Sequence, residues 1–121
     1  MDRREFERLV ADTLRGIPAE LRSHVENVQL IVEDDISDEL RKEMGLEEDE
    51  TLYGLYIGTA LTERSVEYSD LPDRIIIFRR PLLEDFDDPN ALRREVARTV
   101  IHEIAHHFGI GEERLAELGW D

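Results

Sequence analysis

Apolar residues near the start of the chain recur every three or four positions, at Phe6, Leu9, Val10, Leu14 and Ile17, with arginine and glutamate between them. On a helix of 3.6 residues per turn that spacing makes one apolar stripe. An amphipathic helix is therefore predicted over residues 3 to about 16, ended by Gly16 and Pro18. A second short helical piece is expected from Pro18 to Val25. Val28-Gln29-Leu30-Ile31-Val32 is then an apolar run bounded by charge, which predicts a buried strand. Leu52-Tyr53-Gly54-Leu55-Tyr56-Ile57 and Arg74-Ile75-Ile76-Ile77-Phe78 are rich in branched and aromatic residues and predict a second and a third strand. Between them, Gly58 to Asp73 follows neither period. A connection that long in a small domain is expected to be functional, as the upper rim of a cleft, or an irregular edge strand. The acidic tract from Glu33 to Glu50 has too few apolar residues for a core element. Ser37 to Met44 is expected as a surface helical turn and Gly45 to Glu50 as a solvated loop.

The best-marked element lies towards the end of the chain. Asp88-Pro89 offers an N-cap followed by proline at the first helical position, and Gly109 closes the same helix. Leu92, Val96, Val100 and Ile104 line one side of it. Ala97, Ile101, Ala105 and Phe108 line another, leaving a narrow polar face for His102, Glu103 and His106. A short helical piece from Gly111 to Leu118 follows, then Gly119-Trp120-Asp121. These elements predict an α+β fold in which a small mixed sheet of three to four strands packs on an N-terminal helix and on the long helix.

Composition narrows the function classes. At 121 residues the chain is read as one domain, residues 1–121, with one core. Thirty acidic against fifteen basic residues give a formal charge of −15, a field that repels nucleic acid and anionic lipid, so neither is expected as a partner. The acidity itself is read as a device for solubility or an adaptation of the host's proteome rather than as the mark of a specific basic partner. No apolar run is long enough to cross a bilayer, and Met1-Asp2-Arg3-Arg4-Glu5 opens into a charged amphipathic pattern rather than a signal peptide, so a cytoplasmic location is expected. There is no cysteine, so a metal here must be held by nitrogen and oxygen. Oligomeric state is not legible.

The segment His102-Glu103-Ile104-Ala105-His106-His107-Phe108-Gly109 carries H-E-x-x-H. Four residues apart on a helix, His102 and His106 lie one turn above the other, so both imidazoles can reach one zinc ion. Glu103 sits beside them as the general base that takes a proton from the attacking water without itself being a ligand. Catalytic zinc usually has three protein ligands. Gly109 is placed to turn the chain back, and Glu112, ten residues beyond His102, is the candidate for the third, with Glu113 as its rival. His107 is rotated about 100° from His106 and is assigned a supporting role. His24 is expected to be remote and exposed. Tyr53, Tyr56 and Tyr68 are candidates for stabilising an oxyanion, with packing as the alternative. Arg93, Arg94 and Arg98 are expected to pair with the abundant carboxylates.

With these residues assembled, the chain resembles the small bacterial zincin-like metallopeptidases. The resemblance runs from Leu55-Tyr56 through Leu61-Thr62-Glu63-Arg64, Leu71-Pro72-Asp73-Arg74-Ile75 and Phe78-Arg79 to the motif segment and Ile110. It implies a minimal zincin fold and Zn2+ as cofactor. His102, Glu103, His106 and Gly109 also match the H-E-x-x-H-x-x-G-x-x-D pattern of the aspartate-type zincins, where Glu112 stands in place of the aspartate. No methionine follows the motif to form the turn found beneath the metal in metzincins, since Met1 and Met44 both precede it. The function expected is hydrolysis of peptide bonds in a short peptide or unfolded protein. Two readings compete with it: a metal-binding or interaction domain on a zincin scaffold without proteolysis, and a zinc-dependent amide hydrolase of non-protein substrates.

Overall fold

The computed structural model describes residues 1–26, 28–47, 52–58 and 73–120. Among them are six helices and three strands: α1 (Arg3–Leu14), α2 (Ala19–Val25), β1 (Val28–Glu33), α3 (Asp38–Glu43), β2 (Gly54–Ile57), β3 (Asp73–Phe78), α4 (Arg79–Asp85), α5 (Pro89–His107) and α6 (Glu112–Glu117). Local chemistry explains the ends. Asp2, Ser37 and Asp88 each accept a backbone N–H in the first turn of α1, α3 and α5, as the sequence predicts for Asp88. Gly45, Gly109 and Gly119 have φ of 69°, 71° and 84°. Each ends a helix with a bond from the following N–H back across the last turn: Leu46 to Arg41, Ile110 to Ala105 and Trp120 to Leu115.

β3 is the central strand, parallel to β1 and antiparallel to β2. Its alternation explains the layers. Ile75 and Ile77 point to one face, where they join Phe6, Leu9, Val10 and Ile17 from the α1 region, Leu21 from α2 and most of the buried side of α5. Ile76 and Phe78 point to the other and meet Leu55, with Ile31, Ile36, Leu40, Leu52 and Ile57 around them. A strand apolar on both faces belongs in the middle of a sheet, and the unbroken isoleucine run is the sequence trace of that position.

The expected α+β architecture with a small mixed sheet is found, with three strands. α4 is an element that the sequence pattern did not reveal. It is short and anchored by the single buried Leu82, and Pro81 stands in its first turn, where a missing N–H breaks no helical bond. Phe108 departs from expectation, being 42% exposed rather than on an apolar face, because α5 ends at His107 and the cap residue turns out of the core. Glu48–Glu50, Tyr68 and all of the expected cleft rim except Gly58 and Asp73 lie outside the described residues, as do Leu61-Thr62-Glu63-Arg64 and Leu71-Pro72.

Candidate active site

The last two turns of α5 carry His102 and Glu103, both half-buried, and His106, which is exposed. All three line one cleft of about 550 Å³. Its other walls are Leu55 and Tyr56 from β2, Met44, and Ile110, Gly111, Glu112 and Leu115 from the turn after α5 and from α6. The structure thus gathers His102, Glu103, His106 and Glu112 into one place. Glu113 is exposed and is not part of that wall.

A matched spacing of helix and strand brings β2 against this face. Four helical residues advance about 6.0 Å and two strand residues about 6.8 Å, so Thr99, Glu103 and His107 can run beside positions 54, 56 and 58. The contacts follow that register. A Cβ added at Gly54 would lie 2.6 Å from Thr99 Cγ2, and one at Gly58 would lie 3.2 Å from His107 Cε1. Between the two glycines, the Tyr56 N–H donates to Glu103 Oε2 at 3.3 Å. Antiparallel pairing leaves that donor available. Phe78 N–H donates to the Tyr53 carbonyl, which makes 53 and 55 inward-bonding positions and turns the Tyr56 amide away from β3. Gly54 and Gly58 were not singled out from sequence, although two glycines four apart around a strand were the available signal.

Burial pushes the Glu103 carboxyl pKa above its ordinary value, opposed by the Tyr56 N–H and by the His106 and His102 imidazoles. A half-buried carboxylate of raised basicity, with few groups holding its charge, is suited to taking a proton. Tyr56 is held on both sides. Its ring stacks on His107 at 3.8 Å between centroids, and its hydroxyl donates to Asp73 Oδ2 at 2.7 Å. His107 therefore supports the strand beside the cleft, as its orientation on the helix implied.

The remaining candidates separate by position. The Tyr53 hydroxyl donates to Asp85, which pushes its pKa up to about 12, and Tyr53 is not among the cleft residues. His24 is not remote. It is half-buried and stacks on Phe108 at 4.2 Å, because α2 packs against the end of α5. Arg94 lies over the Trp120 ring rather than against a carboxylate. Trp120 reaches the site as well: its carbonyl oxygen is 2.7 Å from His102 Nε2. Nothing in the spacing of the sequence marked that contact, since it joins a residue beyond α6 to the first residue of the motif.

The model of the zincin-like metallopeptidase family matches residues 25–120. This chain belongs to that family. No curated protein matches the chain. Among solved structures it is similar to a conserved hypothetical protein from Thermus thermophilus, with a TM-score of 0.61 and 23% identity over 96% of this chain and 98% of that one. At that identity the likeness concerns the fold.

Zincin-like metallopeptidases imply a zinc ion, and the donor chemistry of this cleft is compatible with one. Two imidazoles and the Glu112 carboxylate are zinc-type ligands, and the carboxyl end of α5 favours positive charge. Among the described residues, however, no three His, Asp or Glu side chains converge closely enough to enclose an ion. Two of the donors are neighbours on a rigid helix. The third stands on a separate short helix across a glycine turn.

Proposed function

We propose that this chain is a zinc-dependent peptidase with His102, His106 and Glu112 as the groups that would hold the metal and Glu103 as general base. The observation that carries the reading is Glu103 itself: a half-buried carboxylate of raised basicity, placed between the two motif histidines on the wall of one cleft. Zinc, when bound, supplies a Lewis acid for the scissile carbonyl and acidifies the attacking water. Glu103 Oε2 accepts the proton of that water and returns it to the leaving amine nitrogen. Substrate lies along the outer edge of β2 as an added strand, paired through its backbone, which suits short or unfolded peptides. In the free chain the outward Tyr56 N–H is taken by Glu103. A substrate carbonyl that accepts this N–H releases the carboxylate for proton transfer.

A second reading is a metal-binding domain of the same family without proteolysis, favoured by Glu112 in place of the aspartate of the aspartate-type pattern and by the lack of a methionine after the motif. One experiment separates the two: metal analysis of the native protein, joined to a peptide-library digest by wild type and Glu103→Gln. The peptidase reading expects one zinc per chain in both proteins and a loss of about 10²–10⁴ in cleavage rate in the variant. Zinc retained without cleavage by either protein selects the non-proteolytic domain. Stoichiometric zinc in both His102→Ala and His106→Ala would remove the metal assignment.

A further inference from the structure

Asn90, Arg93, Arg94 and Ala97 stand at i, i+3, i+4 and i+7 on the first turns of α5, so they share one helix face. A packed helix normally presents apolar residues at those spacings. Here three of the four are polar, and the face does not close on its neighbours. It borders a groove of about 370 Å³ whose other walls include Asp12 and Gly16, from the end of α1 and the turn after it, and Trp120. Ala97 is buried and forms the floor, too small to fill the space above it. The groove shares no residue with the cleft that holds Glu103.

The chain has twice as many carboxylates as basic side chains, yet among the described residues neither Arg93 nor Arg94 has a carboxylate within ion-pair distance. Asp12, the carboxylate on the groove wall, pairs with Arg15 at 3.0 Å instead. Arg94 lies over the Trp120 ring, its guanidinium carbon 5.3 Å from the centroid. Stacking occupies the face of a guanidinium and leaves the N–H groups in its plane able to donate. It also restrains the side chain, so less freedom is lost when a ligand binds. Two guanidinium forks match the paired oxygens of an oxyanion, and the Asn90 amide can add a further donor. We propose that this groove binds a small oxyanionic ligand, whose carboxylate or phosphate group sits between Arg93 and Arg94 and whose body lies against the Trp120 ring. The net charge of −15 opposes an anion at long range, but salt screens that repulsion while hydrogen bonds at contact persist. The site stands whether or not the cleft binds a metal.

Trp120 is the chain's one tryptophan, so its fluorescence reports on this groove. The test is titration of the full chain with succinate and with inorganic phosphate, ionic strength being held constant with sodium chloride, followed by Trp120 emission and by NMR shifts of the backbone amides of residues 90–97. A saturable response to at least one of the two is expected, and the one that saturates assigns carboxylate or phosphate chemistry. Arg93→Gln and Arg94→Gln are each expected to weaken binding about tenfold or more, as loss of a hydrogen bond between charged groups does. Arg94→Lys keeps the charge but loses the fork, and it is expected to weaken binding as well. Arg98→Gln, one turn further along α5 and outside the groove, is expected to bind as wild type does. Because Arg94 variants lose the stack on Trp120, their affinities are read from the amide shifts. All three arginines are exposed, so the variants are expected to fold; should a glutamine variant fail to, the wild-type titration and Arg94→Lys carry the same decision. No saturable response to either anion, a response that sodium chloride alone reproduces, or binding that Arg93→Gln and Arg94→Gln weaken no more than Arg98→Gln overturns the proposal.

Discussion

At Glu103 a single residue sets burial against charge. Its folded pKa is raised by burial, so ionisation is what folding opposes: the penalty is present at neutral pH and absent once the carboxyl is protonated in both states. Glutamine keeps the shape and an acceptor for the Tyr56 N–H while discarding the charge. Glu103→Gln is therefore expected to melt at a temperature equal to or a few degrees above wild type at pH 7–8, with the gain fading as pH falls through and below the carboxylate range. Thermal unfolding of both proteins across pH 4–8 measures it. A variant less stable than wild type at pH 7 that draws level with it as pH falls would contradict the role of burial. His102 and His106 were legible because their spacing is a property of any helix. Trp120 was not, because its contact depends on where the chain returns after α6.

At the scale of elements, the site depends on how closely α5 can approach β2. Gly54 sets that approach where Thr99 Cγ2 would stand 2.6 Å from an added Cβ, with the Ile76 carbonyl oxygen and Ile77 Cδ1 both at 3.3 Å. None of these is the far end of a long, flexible side chain. Gly54→Ala is expected to destabilise by about 1–3 kcal/mol, as overpacking in a tight contact does. Thr99→Ala in the same chain removes the clashing methyl and is expected to recover part of the loss, more than the two single effects predict by addition. Gly58→Ala meets the edge of the His107 ring at 3.2 Å and otherwise ordinary contacts, Tyr56 Cε1 at 3.6 Å and Asp73 Cγ at 3.8 Å, and is expected to be milder. Urea unfolding of the single and double variants checks this, and simple additivity would place the strain elsewhere. The helices and strands themselves were largely visible in the hydrophobic pattern. α4 was not, since one buried leucine leaves no period to detect.

For the whole molecule the dominant quantity is charge. Thirty carboxylates against fifteen basic side chains leave −15 on a chain of 121 residues, and such a surface repels itself. Local pairs relieve part of this. Arg114 binds both Glu20 and Glu117, and the Glu20 contact ties α6, which carries Glu112, to α2 while lowering the Glu20 pKa. Arg79 and Arg80 likewise pair with Asp34 and Asp35. Because these pairs are mostly solvent-exposed, they are worth little individually, and general repulsion is the larger effect. Raising sodium chloride from about 0.05 to about 0.5 M is expected to increase the melting temperature by a few degrees as the repulsion is screened. A fall over that range would mean that the ion pairs outweigh the net charge.

The sequence by itself determined what is local. An apolar stripe every three or four residues makes a helix wherever it lies, an isoleucine run seeks the middle of a sheet, a glycine ends a helix, and H-E-x-x-H puts two imidazoles and a carboxylate at one end of α5. These are consequences of backbone geometry and of the hydrophobic effect acting on neighbours along the chain. The tertiary structure alone decided which distant groups meet them. It set Glu112 rather than Glu113 in the cleft wall, gave the Tyr56 N–H to Glu103, and brought the Trp120 carbonyl to His102. Each of those outcomes depends on strand register, on the direction in which a glycine turn sends the chain, or on the depth to which a helix packs. A one-residue change in any of them would exchange the partner, because a strand alternates its faces every residue and a helix turns by about 100°.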